Sequence, residues 1–402
     1  MENVKSEKSL VGEMKKRFLF GLLSVILFFQ IVSAQPTQNT EVWFTPNLGS
    51  TDMLNLFTNP SQWTTSRAIT DVFGFYSLQV LPPNVQYPCT VCGQNTLPNL
   101  VNAQAFLRLS QWNKKIAIEV QVVKHYSCAN PSPYQTGPQL QAYSTQVAVS
   151  SIQNNGGVVD YLVMDEPLIG GWQTVGGQSC GYTIQQTAQD VAQYINLVHS
   201  QFPNVIIGTI EAYPDPAVQT YPPGYNPSVG TLSVARIQNY ILALEQQGVQ
   251  LPFFHLDVNS ESIQAYGTNF NADLITLRNF FANRPYPIDF GVIFNENMNY
   301  QAQTNQQYYT ATFSFLNNVN NIIGVTQDEL FQSWHLDNNL MQLPSNLLET
   351  TPDTHTNLVV NGWQGNVVGN VLSTTVSGLS SGTNYYSRVS ARDAAGNIGS
   401  YS

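Results

Sequence analysis

Charged residues are scarce in this chain. Lys, Arg, Asp and Glu make up 10% of its 402 residues, whereas globular domains ordinarily contain about 25%. The formal net charge at pH 7 is −10, and no basic run occurs beyond the N-terminus. A basic surface is what neutralises the phosphates of a nucleic acid. Nucleic acid is therefore excluded as a partner, and the abundant Asn and Gln favour neutral, hydroxylated ligands.

Long apolar segments are lacking too, except near the N-terminus. Basic residues at positions 15–17 precede an apolar run at 18–29, and small residues follow at 32–34. The run is shorter than the about 20 residues of a membrane-spanning helix, and the pattern is typical of a secretory signal peptide. We predict that residues 1–34 are cleaved, that the protein is secreted, and that it has no membrane partner afterwards. An uncleaved anchor is the alternative.

The chain has only four cysteines. Export places them in an oxidising environment, where an even number predicts disulfides. We favour the pairs Cys89–Cys92 and Cys128–Cys180, since each would join neighbouring loops. A metal site is the alternative, because Cys89 and Cys92, like His125 and Cys128, are spaced as zinc ligands often are. The lack of a second compact cysteine pair favours disulfides.

Short apolar runs and amphipathic stretches alternate eight times along the chain. This alternation predicts βα units on a parallel sheet. The predicted strands are residues 42–45, 72–80, 116–123, 161–164, 205–210, 253–256, 290–294 and 330–334. Eight such units indicate an α/β protein with a (β/α)8 TIM barrel, which we place at residues 35–362. A doubly wound open sheet is the alternative, but no glycine-rich phosphate loop follows any of these runs.

Local signals mark the ends of two helices. Thr183 and Gln186 have the spacing of a capping box, and the helix that they begin must end before Pro203. A second predicted helix covers about residues 232–247, and Gly248 is well suited to end it.

Polar residues follow four consecutive predicted strands. They are Asp165 and Glu166 after strand four, Glu211 and Tyr213 after strand five, Asp257 after strand six, and Asn295 and Glu296 after strand seven. The carboxyl ends of barrel strands meet at the face where barrel enzymes carry out catalysis. We therefore expect the acidic residues to line one pocket. Because the chain has few charged residues, the repeated occurrence of acidic residues at strand ends favours a functional role over solvent-exposed loop positions.

Two of these segments resemble a known enzyme group. Asp165-Glu166-Pro167 resembles the Asn-Glu-Pro motif of clan A glycoside hydrolases, whose glutamate is the acid/base. Glu296 lies where that clan has its nucleophile. Ser333-Trp334 resembles the clan's strand-eight tryptophan, and His125 lies where some members have a strand-three histidine. The resemblance covers most of residues 35–349, and it departs from the clan at Asp165, where the usual residue is Asn.

The resemblance implies hydrolysis of glycosidic bonds in a poly- or oligosaccharide by two carboxyl groups, without a cofactor. Glu166 would protonate the leaving oxygen, because the neighbouring charge of Asp165 favours its protonated form. Glu296 would attack the anomeric carbon, with retention if the carboxyl groups lie about 5–5.5 Å apart. The substrate-binding residues would be Asp165, Trp334, His125, Glu211, Asp257, Asn295 and Tyr213.

Two other functions fit the same residues. In the first, Asp165, Glu211 and Asp257 bind a divalent cation through their oxygens, and Lys124 acts as a base. In the second, the barrel binds carbohydrate without cleaving it, which the Asp at position 165 would favour. The chain has no Gly-x-Ser-x-Gly segment, so an α/β-hydrolase esterase is not supported.

The C-terminal segment differs from the rest of the chain in composition and is rich in Thr, Gly, Asn and Ser. Residues 376–397 resemble the second half of a fibronectin type III domain, with Tyr385 as the tyrosine of its corner and Val389 and Ala391 alternating inward. Residues 363–402 are too few for a complete sandwich of about 100 residues. We therefore predict an incomplete fibronectin type III-like β segment after the barrel.

Overall fold

Eight parallel strands form a closed barrel within the described part of the chain. A computed structural model describes residues 40–63, 67–68, 70–83, 89–123, 136–172, 174–175, 178–179, 181–219, 223–295 and 305–332. The barrel strands are β1 Glu41–Thr45, β2 Val72–Tyr76, β3 Lys115–Gln121, β4 Tyr161–Asp165, β5 Ile206–Tyr213, β6 Phe253–Val258, β7 Asp289–Phe294 and β8 Asp328–Gln332. Each strand pairs with the next along the chain, and β8 pairs with β1. The predicted barrel is confirmed.

Helices occupy the connections between the strands. They are α1 Thr51–Thr58, α2 Ser77–Val80, α3 Leu97–Asn102, α4 Ala105–Gln111, α5 Gly137–Gln153, α6 Pro167–Trp172, α7 Ile184–His199, α8 Ser228–Gln246, α9 Ser260–Tyr266, α10 Phe270–Ala282 and α11 Asn305–Ile323. Short 3-10 helices at Pro60–Trp63 and Pro216–Val218 and a small antiparallel pair, Thr174–Val175 with Gln178–Ser179, complete the connections.

The predicted signals at Thr183, Pro203 and Gly248 are confirmed, whereas the second helix begins at Ser228, four residues before its predicted start. The backbone N–H of Gln186 donates to Thr183 Oγ1 at 3.3 Å, and the Gln186 side chain accepts from the Thr183 N–H at 2.9 Å. The helix that follows ends at His199. Helix α8 ends at Gln246, and Gly248 just beyond it has a φ of +79°. Glycine adopts this left-handed conformation without the strain that a Cβ would add.

Strand alternation separates two apolar clusters. The cluster inside the barrel consists of Trp43, Val72, Ala117, Tyr161, Val163, Ile210, Phe253, Ile293 and Leu330. A much larger cluster lies between the strands and the helices and includes Phe44, Phe73, Ile118, Leu162, Leu256 and Phe331. Successive strand residues point to opposite sides of the sheet. The position of a residue in this alternation therefore decides whether its side chain can reach the barrel mouth.

The interior cluster surrounds a buried polar group. His255 Nε2 lies 3.0 Å from Asp328 Oδ2, and Trp43 Nε1 donates to Asp328 Oδ1 at 3.3 Å. His255 is 0% exposed and Asp328 is 5% exposed. These four atoms are therefore paired inside the barrel, where an unpaired polar atom is costly, whereas the buried His255 Nδ1 has no hydrogen-bond partner among the described residues.

A second polar group lies at the amino ends of the strands. Lys115 forms an ion pair with Glu41 and donates to the Tyr161 hydroxyl at 2.8 Å, and that hydroxyl donates to Glu41 at 2.9 Å. This end of the barrel is thus linked by charge and hydrogen bonds, and the acidic strand ends lie at the opposite face.

Cys89 and Cys92 form a disulfide with a Cα–Cα distance of 5.5 Å. This is the first of the two predicted pairs. Because both sulfurs are bonded, these two residues do not form the alternative metal site. Cys128 and Cys180 lie outside the described residues, so their pairing stays a prediction.

Three sequence predictions concern segments that the structure does not describe. The signal peptide at 1–34 and the fibronectin type III-like segment at 363–402 lie wholly outside the described residues, as does the last part of the predicted barrel domain, residues 333–362. Among the residues that are described, no helix is both long and apolar enough to span a bilayer.

Candidate active site

Three of the predicted site residues point into the carboxyl end of the barrel. Asp165 on β4 lies two residues after the interior residue Val163, and Asp257 on β6 lies four residues after the interior residue Phe253, so both share the inward side of the sheet. Asn295 follows β7 with the same inward alternation. Asp257 is 5% exposed and Asn295 is 1% exposed, whereas Asp165 is half-buried. The structure therefore brings these three residues to one face, as parallel strands require.

Three further residues complete this inward-facing layer. The amide nitrogen of Gln332 on β8 donates to the Tyr76 hydroxyl at 3.0 Å and to Glu119 Oε2 at 2.9 Å. Tyr76 ends β2 and Glu119 lies in β3, where the two residues are in register. Sequence reasoning missed all three. The sequence did contain one signal. Glu119 lies inside an apolar run, between Ile118 and Val120 of the helix-facing core, so its side chain must point to the inner side of the barrel.

Electrostatics shows that the carboxylates share one site. Burial raises the pKa of the Tyr76 hydroxyl well above its usual value of 10.0, and the negative charge of Glu119 raises it further. The hydrogen bond from Gln332 acts in the opposite direction, and the charges of Asp165 and Asp257 add smaller increases. Tyr76 therefore keeps its proton at neutral pH. Three acids on β3, β4 and β6 act on this one hydroxyl group.

Glu166, the predicted acid, stands at a sharp bend in the chain. Its φ is +45°, in the left-handed region, where a residue with a side chain is strained by about 1–3 kcal/mol. Its N–H continues the ladder of β4 and β5 by donating to Ile210 O at 3.1 Å, and its C=O accepts from Gly170 N at 2.8 Å as α6 begins. Because the backbone turns here, the alternation of β4 no longer sets the direction of the Glu166 side chain, which is half-buried.

The structure corrects the expectation that Glu211 lines the mouth. Strand β5 runs on to Tyr213, so Glu211 lies within it and is in register with Leu256 of the helix-facing core. Glu211 is 0% exposed and accepts a hydrogen bond from Leu168 N, in the first turn of α6, at 2.9 Å. Burial raises the pKa of the Tyr240 hydroxyl on α8 well above its usual value, and the charge of Glu211 raises it further. Glu211 therefore lies behind the strand and supports the segment that carries Glu166.

Tyr213 is likewise not at the mouth. It is 0% exposed, and its hydroxyl donates to Asp273 Oδ2 on α10 at 2.6 Å. Its ring packs against Phe270 of the same helix, with centroids 5.7 Å apart. Tyr213 has the same alternation as Glu211 and faces the helices, so it does not contact a ligand in the barrel.

The divalent-cation alternative loses one of its three ligands. Asp165 and Asp257 face the mouth, but Glu211 points to the other side of the sheet. Across the described ranges, no group of three or more His, Cys, Asp and Glu side chains is placed to hold a metal ion. The set of Asp165, Glu211 and Asp257 therefore does not form a metal centre.

Four of the candidate catalytic and ligand-binding residues fall outside the described ranges. These are Glu296, Trp334, His125 and Lys124. Their assigned roles stay predictions.

The sequence matches no family model, and no curated protein sequence matches it. Solved structures that resemble the chain include three glycoside hydrolases. A psychrophilic family 10 endo-β-1,4-xylanase has 8% identity and a TM-score of 0.45, with 74% of this chain and 87% of the xylanase covered. A family 53 catalytic domain from Ignisphaera aggregans has 12% identity and a TM-score of 0.46, with coverages of 75% and 86%. Active domain 2 of a chitinase from Pyrococcus furiosus has 13% identity and a TM-score of 0.43, with coverages of 82% and 97%. These values assign no residue a role, and the barrel itself is established by its strand pairing.

Proposed function

We propose that this protein is a secreted glycoside hydrolase that cleaves a poly- or oligosaccharide, with Glu166 as the general acid and Glu296 as the nucleophile of a retaining mechanism. One observation carries the proposal. Glu119, Asp165 and Asp257 act together on the Tyr76 hydroxyl, and Glu166 follows Asp165 directly at a strained backbone position. Such strain is concentrated at functional sites in proteins.

The chemistry of the mouth suits a sugar. Carboxylates accept hydrogen bonds only, whereas the hydroxyl groups of a sugar both donate and accept. Both hydrogens of the Gln332 amide nitrogen are used by Tyr76 and Glu119, so the partly buried carboxylates Glu119 and Asp165 are the groups that would accept from sugar hydroxyls. A pocket of this kind binds a polyol through several directed hydrogen bonds and holds the bond to be cleaved near Glu166.

The proposed reaction has two steps. Glu166 gives its proton to the leaving glycosidic oxygen while the carboxylate of Glu296 forms a bond to the anomeric carbon. Glu166, now ionised, takes a proton from water as the water oxygen displaces Glu296 from that carbon. The second product leaves with the configuration of the substrate, and both glutamates return to their starting protonation states.

Variants at the two glutamates test the proposal. Glu166→Gln should lower hydrolysis of polysaccharides, whose leaving groups are poor, by about 10²–10⁴-fold, because general acid catalysis contributes that much. Activated aryl glycosides need little protonation and should be affected far less. Glu296→Ala should lose both activities, and azide should restore turnover of the aryl glycosides. Asp190→Asn, on the outer helix α7, is the matched control and should behave as wild type.

The outcome separates the candidate functions. Near-normal activity of Glu296→Ala would contradict its role as nucleophile. A wild-type protein that binds polysaccharide but cleaves neither substrate class would instead be a carbohydrate-binding barrel.

A further inference from the structure

We propose that Glu119 binds a hydroxyl group of a neutral sugar ring, and that Gln332 is the positioning residue that holds Glu119 and Tyr76 in place for this contact. The inference rests on the proposed function. It assigns ligand recognition to residues outside the pair that performs the chemistry, and it restricts the substrate to uncharged sugars.

The bridge made by Gln332 crosses part of the barrel mouth. In the β1–β8 ladder Gln332 is in register with Thr45 of β1. Its side chain nevertheless reaches Tyr76 on β2 and Glu119 on β3, at 3.0 Å and 2.9 Å. One side chain of the last strand therefore fixes two groups that lie two and three strands away around the barrel.

The hydrogen bonds determine how the amide is oriented. A glutamine side-chain nitrogen carries two hydrogens, and its oxygen carries none. Both neighbours of the Gln332 nitrogen are oxygen atoms, one of them in a carboxyl group. In the reverse orientation the amide oxygen could still accept from the Tyr76 hydroxyl, but it would face Glu119 Oε2, and an ionised carboxyl group cannot donate. Gln332 thus donates to both, and a hydrogen bond donated to a carboxylate favours its ionised form.

Exposure separates the residue that contacts the ligand from those that support it. Gln332 is 3% exposed and Tyr76 is 5% exposed, so both lie beneath the surface of the mouth. Glu119 is only partly buried, as is Asp165 on the neighbouring strand. Glu119 is therefore the member of the bridged set that a ligand reaches.

The charge at the mouth indicates the substrate class. Glu119, Asp165 and Asp257 occupy inward-facing positions near the carboxyl ends of β3, β4 and β6, on the same side as Ala117, Val163 and Phe253. Burial raises the pKa of Tyr76 most, and the negative charges of these three acids raise it further. A uronic acid or a sulfated sugar would bring a further anion into this field and be repelled. A neutral sugar instead supplies hydroxyl donors to the carboxylates.

Binding measurements test the assignment separately from hydrolysis. The probes are soluble arabinoxylan, galactomannan, mixed-linkage β-glucan and, as the anionic member, polygalacturonate, each cast into native gels at low temperature. Wild type should be retarded by at least one neutral polysaccharide and not by polygalacturonate. Glu119→Ala and Gln332→Leu should weaken that binding about tenfold or more, which is the usual effect of losing a hydrogen bond to a charged group.

Gln79 provides the matched control. Its amide is also buried beside Tyr76, but it accepts from the Tyr76 backbone N–H at 3.0 Å and donates to Leu48 O at 3.3 Å. Gln79→Leu should lower the melting temperature and leave the affinity of the folded protein unchanged. The melting temperature of every variant shows that it is folded under the binding conditions.

Gln332→Glu gives a readout that a purely structural role would not produce. At neutral pH the introduced carboxylate would face Glu119, with Asp165, Asp257 and the protonated Tyr76 nearby, and binding should be lost. As the pH falls, one of the two facing carboxyl groups takes up a proton and can donate to the other. Binding by this variant should therefore recover towards acid pH, whereas Gln332→Leu should not recover.

Several results would overturn the inference. They are unchanged binding by Glu119→Ala, polygalacturonate bound as well as the neutral polymers, no binding to any polymer by wild type, or pH-independent binding by Gln332→Glu. Binding that depends on Glu119 and Gln332, in a protein that hydrolyses none of the polymers, would refute the proposed function and leave this inference supported.

Discussion

Replacing Glu211 tests whether this glutamate supports α6 or faces a ligand. The side chain is fully buried and its Oε1 accepts from Leu168 N at 2.9 Å. Leu168 is the second residue of α6, where the N–H has no partner within the helix. Glu211→Ala would leave this buried donor without its partner, at a cost of about 1–3 kcal/mol, and would remove packed side-chain volume as well. We expect a total loss of about 2–4 kcal/mol.

The comparison variant is Glu211→Gln. It keeps the volume and an oxygen that accepts from Leu168, so its loss should be about 1 kcal/mol or less. For a barrel of this size each kcal/mol corresponds to roughly 2 °C in melting temperature. Thermal unfolding followed by circular dichroism should thus show a fall of about 4–8 °C for Glu211→Ala and about 2 °C or less for Glu211→Gln. A Glu211→Ala protein that melts like wild type but no longer binds sugar would refute our conclusion that Glu211 faces the helices and supports α6.

Two further predictions concern buried groups away from the mouth. Burial raises the pKa of Asp273 above its usual 3.8, although the hydrogen bond from Tyr213 lowers it. Around this pH the folded state therefore binds more protons than the unfolded state, so the free energy of unfolding falls as the pH rises above about 4. Asp273→Asn keeps an acceptor for Tyr213 and should reduce this fall, as measured by urea unfolding between about pH 4 and pH 7; an unchanged pH dependence would contradict the expectation. His255→Ala leaves Asp328 Oδ2 without its partner, although Oδ1 keeps the Trp43 N–H, and it also removes a fully buried ring. It should destabilise the barrel by about 3–5 kcal/mol in urea unfolding, and a loss under about 1 kcal/mol would show that the pair contributes little.

The strands could be predicted because the two clusters bury both faces of the sheet. Each barrel strand therefore appears in the sequence as a short apolar run, and every predicted run overlaps an observed strand. The helix signals at Thr183 and Gly248 are equally local, since a capping box and a left-handed glycine depend on a few adjacent residues. These features needed no knowledge of the tertiary structure.

The site was harder to predict because it depends on alternation and register. Strand β5 was expected to end at residue 210 but continues to Tyr213. The apolar run alone therefore places Glu211 after the strand. In the structure Glu211 lies within β5 and faces the helices. A shift of one residue moves a side chain to the other side of a sheet, and the ends of strands are where sequence patterns are weakest.

Glu119 was missed for a related reason. It lies inside a run that was correctly predicted as a strand, and such runs ordinarily supply core residues. Its partner Gln332 is 213 positions away along the chain. Only the closed barrel brings the two together, and no local pattern encodes that contact.

The bridge from Gln332 also has a consequence for the order of events during biosynthesis. Tyr76 and Gln332 are 256 positions apart, and β8 is the last of the eight barrel strands to be synthesised. Contacts between such distant segments carry a large loop-closure entropy and form late in folding. A nascent chain that has produced β1 to β7 already contains Glu119, Asp165 and Asp257, but it lacks the amide that holds Glu119. We therefore expect the protein to acquire sugar affinity only when β8 docks, so that premature termination before residue 332 yields chains without that affinity.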